Sequence, residues 1–370
     1  MIIHNGWIFC EDRKFTMKDL YIEHGIIVSD ASQVTDKTVI DASGCYVIPG
    51  LIDIHSHGAC GYDFSDANEA GLHEILRYQR EHGITSYCPT SMTLPKEQLH
   101  KIFQTAKTVK SMEENSQEEA TLVGLNMEGP FIDAKKKGAH AEEYIIEPDV
   151  EFFQKCNESC GELIRLVTIA PNRNGAMEFI RKLSDKTTIS LGHTSADYDT
   201  SRKAIEAGAH HVTHLYNAML PMEHRAPGLI GAAAEEEHVM AELICDGIHV
   251  HESMVRAAFK LFSDRIVLIS DSIRATGLKD GTYELGGQEV TVAGKIATLQ
   301  DGTIAGSVTN LFDCMLTAIS FGIPPETAIA AATMNPAKSI GIYDTVGSLT
   351  VGKKADVLIV NQEYELIRVI

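Results

Sequence analysis

Eight short apolar runs alternate with longer amphipathic segments through most of this chain, and the runs stop at chemistry-bearing polar residues or at Gly/Pro-rich turns. The runs are Val47–Ile54, Ile84–Pro89, Leu122–Met127, Ile164–Ala170, Thr188–Leu191, His211–His214, Met240–Cys245 and Ile266–Ser270. Short, continuous apolar runs bounded by turn formers read as strands buried on both faces. Helical periodicity falls between them, over Glu69–His82, Lys96–Met112, Val150–Cys156, Ala176–Ser184, Ala196–Ala207 and Ser253–Phe262, with Val308–Phe321 and Pro325–Ala332 after the last run. Strands alternating with helices specify the α/β class, and eight repeats specify a (β/α)8 TIM-like barrel. Such a barrel gathers the C-terminal ends of all its strands at one face. The first run stops at His55-Ser-His57, and later ones stop at Glu128, His193, His214, His249 and Asp271. Residues far apart in sequence are therefore expected to share one site.

The two ends read differently. Met1–Phe9, Leu20–Ile22, Ile26–Ser29 and Val39–Ile40 read as short strands, as do the stretch Gly347–Val360 and the segment Glu363–Val369. The expected organisation is a small β-sandwich domain from residues 1–50 plus 345–370, and a barrel over 51–344. The length of 370 residues suits one barrel of roughly 250 residues with a small companion. Two connections exceed what packing needs, Gly129–Asp149 and Arg274–Ala305, and long loops on this side of a barrel are usual lids.

Composition excludes several classes. A net charge of −19, from 32 basic and 51 acidic residues, argues against nucleic acid as partner. No apolar run approaches the ~18 residues that span a bilayer, and the N-terminus lacks the pattern of a secretory leader. The eight cysteines are scattered rather than framed as disulfides, so a reducing cytoplasm is expected. Cys156 and Cys160, one helical turn apart, are expected to be structural.

In His55-Ser-His57 the side-chain period of two sends both imidazoles to one side. Imidazole and carboxylate suit zinc, iron, manganese, cobalt or nickel. With Glu128, His193 and His214 at other strand ends, the set reads as a centre for one or two divalent metal ions per subunit. At least one of His210 and His211 reads as a bystander, packed or exposed, and His73, His82 and His100 read as surface residues on helices. Asp271, in Ile-Ser-Asp-Ser, reads as a general base; its alternative is a helix N-cap between two serines. The metal would take water from a pKa of about 15.7 to near 7, worth about 12 kcal/mol. From the residues alone the reading is metal-assisted hydrolysis, with an anion near Arg225 and a lidded pocket.

Pro49-Gly-Leu-Ile-Asp-Ile-His-Ser-His-Gly58 is similar to the first strand of the amidohydrolase superfamily. Asn126-Met-Glu-Gly-Pro-Phe131, Lys137-Gly-Ala-His140, Gly192-His-Thr194, Thr213-His-Leu-Tyr-Asn-Ala-Met219, Asp246-Gly-Ile-His249 and Ser270-Asp271 resemble, more narrowly, its N-acetylglucosamine-6-phosphate deacetylase family, over essentially the whole chain. The resemblance implies hydrolysis of the N-acetyl amide of a phosphorylated amino sugar in amino-sugar metabolism. It implies Glu128, His193 and His214 as central metal ligands, with His55 and His57 adding a second metal bridged by Glu128. Asp271 would carry the proton, and Asn217, Ala218 and Arg225 would hold the phosphate. His140, His249, Ala139 and the segment Ile304-Ala305-Gly306-Ser307 would line the sugar and amide end. It also implies a homodimer, whose partner subunit completes the phosphate site. Asn217 also suits a turn, and Arg225 a surface ion pair. Rival activities are the same reaction on the galactosamine epimer and a cyclic-amide hydrolase. Cyclic-amide hydrolases commonly bridge their metals with a carboxylated lysine on strand four, and Ile164–Ala170 has none. A non-enzymatic scaffold is disfavoured by the complete ligand set.

Overall fold

The computed structural model describes residues 1–112 and 118–370. Eight parallel strands form the barrel: β1 (Leu51–Ser56), β2 (Ile84–Ser91), β3 (Leu125–Glu128), β4 (Ile164–Ile169), β5 (Thr188–Leu191), β6 (His211–Val212), β7 (Met240–Ile244) and β8 (Ile266–Ile269). They are hydrogen-bonded in sequence order from β1 to β8. The ring closes between β8 and β1 through the residues just past the ladder. The Asp271 N–H donates to the His55 carbonyl at 2.9 Å, and His57 N–H donates to the Ser272 carbonyl at 2.8 Å. The buried Asp53 carboxylate spans the same seam, accepting from the Ser270 hydroxyl at 2.5 Å and the His55 N–H at 3.2 Å.

Two expected strands are divided. The run Val47–Ile54 is two elements: Tyr46–Pro49 belongs to the terminal sheet, and β1 begins at Leu51. Gly50 is the joint. A Cβ there would lie 2.0 Å from the Thr85 hydroxyl oxygen, so only glycine passes this corner. The run Leu122–Met127 likewise splits into a short strand, Thr121–Leu122, and β3. Two helices lay hidden in the sequence, Gly228–Glu235 and Met334–Ser339. The first is buried and apolar on nearly every side, so it shows no amphipathic period. The second carries Pro336 and is almost wholly buried.

The small β-sandwich expected from the termini is built as one hydrogen-bonded mixed sheet of seven strands. Val357–Val360 lies antiparallel to Tyr46–Pro49, and that strand runs parallel to Ile2–Phe9. Ile3, Ile8, Ile27, Val47, Val357 and Ile359 form its core. Phe9, Ile48, Leu358 and Val360 on its other face join the large core between the barrel strands and the helices, and the barrel interior forms a further cluster. Ile52, Ile54, Leu166, Ile244, Val267 and Ile269 pack together against Ala337, Ile340 and Val346. Over the strand ends sits a three-stranded sheet, Gly281–Leu285, Gln288–Ala293 and Ile296–Thr298, with Gly286-Gly287 and Gly294 in its turns. Its Leu285, Val290 and Ala297 pack on Met92 and Ile273. Gln288 donates to the Ala139 carbonyl, joining this cover to the Gly129–Asp149 connection. No helix among the described residues is long and apolar enough to cross a membrane.

Candidate metal centre

Glu128, the last residue of β3, is the hub of the site. Its Oε1 lies 3.1 Å from His193 Nε2, 3.1 Å from His214 Nε2 and 3.4 Å from His55 Nε2. Its Oε2 lies 3.3 Å from His57 Nε2 and 3.4 Å from His140 Nε2. Asp271 Oδ1 stands 3.2 Å from His57 Nε2 and 3.8 Å from His55 Nε2. Five expected ligands and the expected proton carrier thus converge, from β1, β3 and the turns after β5, β6 and β8. All six are buried.

The chain turns sharply at three of these positions. His193, His214 and Asp271 take φ of 44°, 25° and 49°, in the left-handed region that side chains avoid. Such backbone is sustained only where the surroundings over-determine it, and it clusters at functional sites. No helix begins at Asp271, which removes the N-cap alternative.

Proton placement sorts the histidines. His57 Nδ1 faces the Thr90 carbonyl at 3.2 Å and His193 Nδ1 faces the Lys136 carbonyl at 2.8 Å. A carbonyl only accepts, so Nδ1 carries a proton, and in the neutral, metal-binding form Nε2 turns a lone pair inward. His55 does the same against the Glu242 carboxylate at 2.8 Å. His140 is the opposite case. Its Nδ1 accepts the Thr93 N–H at 3.1 Å, which leaves the proton on Nε2. Glu128, His140 and His193 have donor atoms close enough to share one ion. The tautomer nevertheless turns an Nε2–H of His140 into the site, where it donates a hydrogen bond and offers no lone pair to a cation. The other compact group is His55, His57 and Asp271. The donor set fits divalent cations. Inward lone pairs surround two carboxylates, the buried His55 Nε2 makes no hydrogen bond, and His193 and His214 bring Nε2 atoms within 2.9 Å.

The charges are strongly coupled. Burial alone would raise Glu128, but His55, His140 and His193 hold it well below the usual carboxylate range. Burial would also raise Asp271, yet the hydrogen bond from His57 and the charge of His55 bring it down to about 2. Burial lowers His57, and its hydrogen bonds to Asp271 and Glu128 outweigh that, lifting it to about 10. His193 falls to about 4 because desolvation dominates.

The remaining expected residues ring this cluster. The His249 side chain is held by Asp246, with Nδ1 at 2.7 Å from Oδ2, while Asp246 Oδ1 accepts two backbone N–H groups at 2.9 Å. Burial opposes the charged His249, but the hydrogen bond to Asp246 raises its pKa. Ser307 N–H donates to the Asp271 carbonyl at 2.7 Å and its hydroxyl to the Ser270 carbonyl at 2.6 Å, so residues 304–307 run beside the end of β8. Gly306 has φ of 82°, and a Cβ there would meet Asp271 O at 2.9 Å. Ile304 is partly exposed, and Ala305 is buried. Asn217 turns its amide to the carbonyls of His214 and Leu215, at 3.4 and 3.2 Å, so it serves the turn that shapes His214. Ala218 accepts the Thr194 N–H at 3.0 Å. Arg225 is exposed on a tight turn closed by Glu223 and Ala226, and no carboxylate among the described residues pairs with it.

Several contributing residues were missed from the sequence. Glu242, fully buried on β7, holds His55, and Asp53 closes the seam. Each is a lone acid inside an apolar run, Ile-Asp-Ile or Ala-Glu-Leu, which is the signal that could have found it. Thr90 and Thr93 left no such mark. His211 is a buried bystander on the Ser190 hydroxyl at 3.0 Å. His73, His82 and His100 are half-buried on helices, and Cys156 and Cys160 are buried and unpaired.

The amidohydrolase family pattern matches residues 46–369. The N-acetylglucosamine-6-phosphate deacetylase of Bacillus subtilis is 40% identical over 369 residues, spanning 99% of this chain and 91% of that protein. The human protein of the same name is 34% identical, spanning 95% of this chain and 90% of its own. Among solved structures, the Mycobacterium smegmatis enzyme in complex with N-acetyl-D-glucosamine-6-phosphate superposes with a TM-score of 0.92 at 29% identity, over 100% of this chain and 97% of that one. The Thermotoga maritima enzyme gives 0.89 at 29% identity, over 100% and 98%.

Proposed function

The chain belongs to the amidohydrolase family, in its N-acetylglucosamine-6-phosphate deacetylase branch, and we propose that it hydrolyses the N-acetyl amide of N-acetylglucosamine 6-phosphate to glucosamine 6-phosphate and acetate. The observation that carries this reading is the convergence of His55, His57, His193 and His214 on the Glu128 carboxylate with Asp271 alongside.

In this reading His55 and His57 would help hold one cation and His193 and His214 a second, with the Glu128 carboxylate available to both. Zinc, iron, manganese, cobalt and nickel all suit such donors. A divalent cation there supplies a Lewis acid for the amide carbonyl and lowers the pKa of water toward neutrality. The chain's own residues do the rest. Asp271, kept ionised, takes a proton from the attacking water and returns it to the leaving nitrogen as the C–N bond breaks. His140 points an Nε2–H donor toward the substrate oxygen. His249, steadied by Asp246, faces the same space. Ala139 and residues Ile304–Ser307 form its wall. Asn217 shapes the turn that presents the backbone of Ala218 to the phosphate, and Arg225 offers a planar fork to the phosphate oxygens. A homodimer, whose second subunit completes the phosphate end, belongs to the same proposal. So does the division into a terminal β domain, 1–50 plus 345–370, and a barrel, 51–344.

Acetate release tests this directly. The metal-loaded protein should turn over N-acetylglucosamine 6-phosphate faster than the galactosamine epimer, and either far faster than the unphosphorylated sugars. Preference for the galactosamine epimer would reassign the substrate, and no acetate from any of the four would sink the activity.

A further inference from the structure

Glu242 lies beneath both halves of the metal centre and is 0% exposed. One of its oxygens, Oε2, accepts two hydrogen bonds, from His55 Nδ1 at 2.8 Å and from the backbone N–H of His214 at 3.1 Å. The first bond fixes the proton of His55 on Nδ1, so its Nε2 presents a lone pair to Glu128 and Asp271. The second anchors a residue whose φ of 25° is strained. The Glu242 carbonyl also accepts the Leu215 N–H at 2.8 Å, so side chain and backbone together clamp the turn after β6. Oε1 makes no hydrogen bond, and the nearest imidazole, His211, stands 3.9 Å away.

We infer that Glu242 is a positioning residue that couples the two cation sites, aligning His55 for one and the His214 turn for the other through a single oxygen. This rests on the assignment of His55 and His214 as ligands. The carboxylate touches neither substrate nor reacting atoms. It acts through the tautomer and orientation of His55, as buried carboxylates behind metal-binding histidines generally do. Its larger effect falls on the His55/His57 site, because among the described residues His55 Nδ1 hydrogen-bonds to Glu242 alone. His214 remains braced by its own strand and by Leu215.

The test is stepwise cobalt binding to wild-type, E242Q and E242A protein after chelation, with circular dichroism and melting of each metal-free form. Wild type should bind two ions per chain; fewer would sink the ligand assignment itself, separately from Glu242. E242A should bind the weaker ion about 10–100-fold less tightly while holding the first within a few-fold. E242Q should recover part of the loss and stay about 3–10-fold weaker than wild type at that ion, because an amide oxygen can accept both N–H groups but is a weaker acceptor than a carboxylate. Wild-type binding of both ions in E242A would overturn the inference. So would equal weakening of both ions, which is what a generally loosened barrel gives. If E242A does not fold, E242Q alone decides: a selective weakening of the second ion supports the coupling, and unchanged or equal affinities contradict it.

Discussion

The backbone N–H of Asp271 donates to the carbonyl of His55 at 2.9 Å, so the last and first strands of the barrel are joined at the residues we propose as proton carrier and cation ligand. Ring closure and site assembly are one event. Asp53 sits directly behind this bond, accepting from Ser270 and from the His55 N–H. Replacing it by alanine leaves a buried hydroxyl and a buried N–H without partners, a cost of about 1–3 kcal/mol each. D53A should therefore melt several degrees below wild type in the metal-free state, measured by calorimetry. An unchanged melting temperature would mean the seam does not need Asp53.

His55 and His57 distinguish a two-cation centre from a one-cation centre. Converting both to asparagine should lower the metal content of purified protein from two toward one per chain, by plasma mass spectrometry, with Glu128, His193 and His214 retaining the rest. Unchanged content would refute their role as ligands.

Arg225 is exposed, no carboxylate among the described residues pairs with it, and we propose that it holds the phosphate. A charge-assisted hydrogen bond is worth about 1.5–3 kcal/mol, or about 10–100-fold in binding. R225A should raise KM for the phosphorylated substrate by that factor and leave the weak turnover of N-acetylglucosamine unchanged. Equal losses on both substrates would show that it does not read phosphate.

Cation binding should release protons. In the metal-free protein the hydrogen bonds of His57 to Asp271 and Glu128 overcome its burial and raise it to about 10, so its imidazolium persists at pH 7. A ligand must be neutral, and the proton leaves when the cation enters. Affinity at the His55/His57 site therefore increases with pH from 7 and levels off above about pH 10. Titration calorimetry in buffers of different ionisation enthalpy reads the released protons directly. A heat independent of buffer would contradict the assignment.

Much of this was legible in the sequence because barrel strands are short, fully buried and capped by polar residues. Every run from Ile84 to Ser270 contributed a strand, and His55, His57, His193 and His214 met at Glu128 with Asp271 beside His57, while His249 went to Asp246. What stayed hidden had physical reasons. Gly50 breaks an unbroken apolar run because two sheets share it, and hydropathy carries no mark of which sheet a residue joins. The helix Gly228–Glu235 is covered on nearly all sides, so the amphipathic signal vanishes. Glu242 and Asp53 act through distant partners, a relation that spacing cannot reveal. The tautomer of His140 depends on the Thr93 N–H, a backbone group with no sequence signature.

Asp271 is the proposed proton carrier, and the proposed cation ligands do not depend on its charge. The most direct measurement is D271N, assayed together for metal content and for acetate release from N-acetylglucosamine 6-phosphate. Two ions per chain with kcat reduced about 10²–10⁴-fold is the expected result. Near-normal kcat with the metals still bound would contradict it.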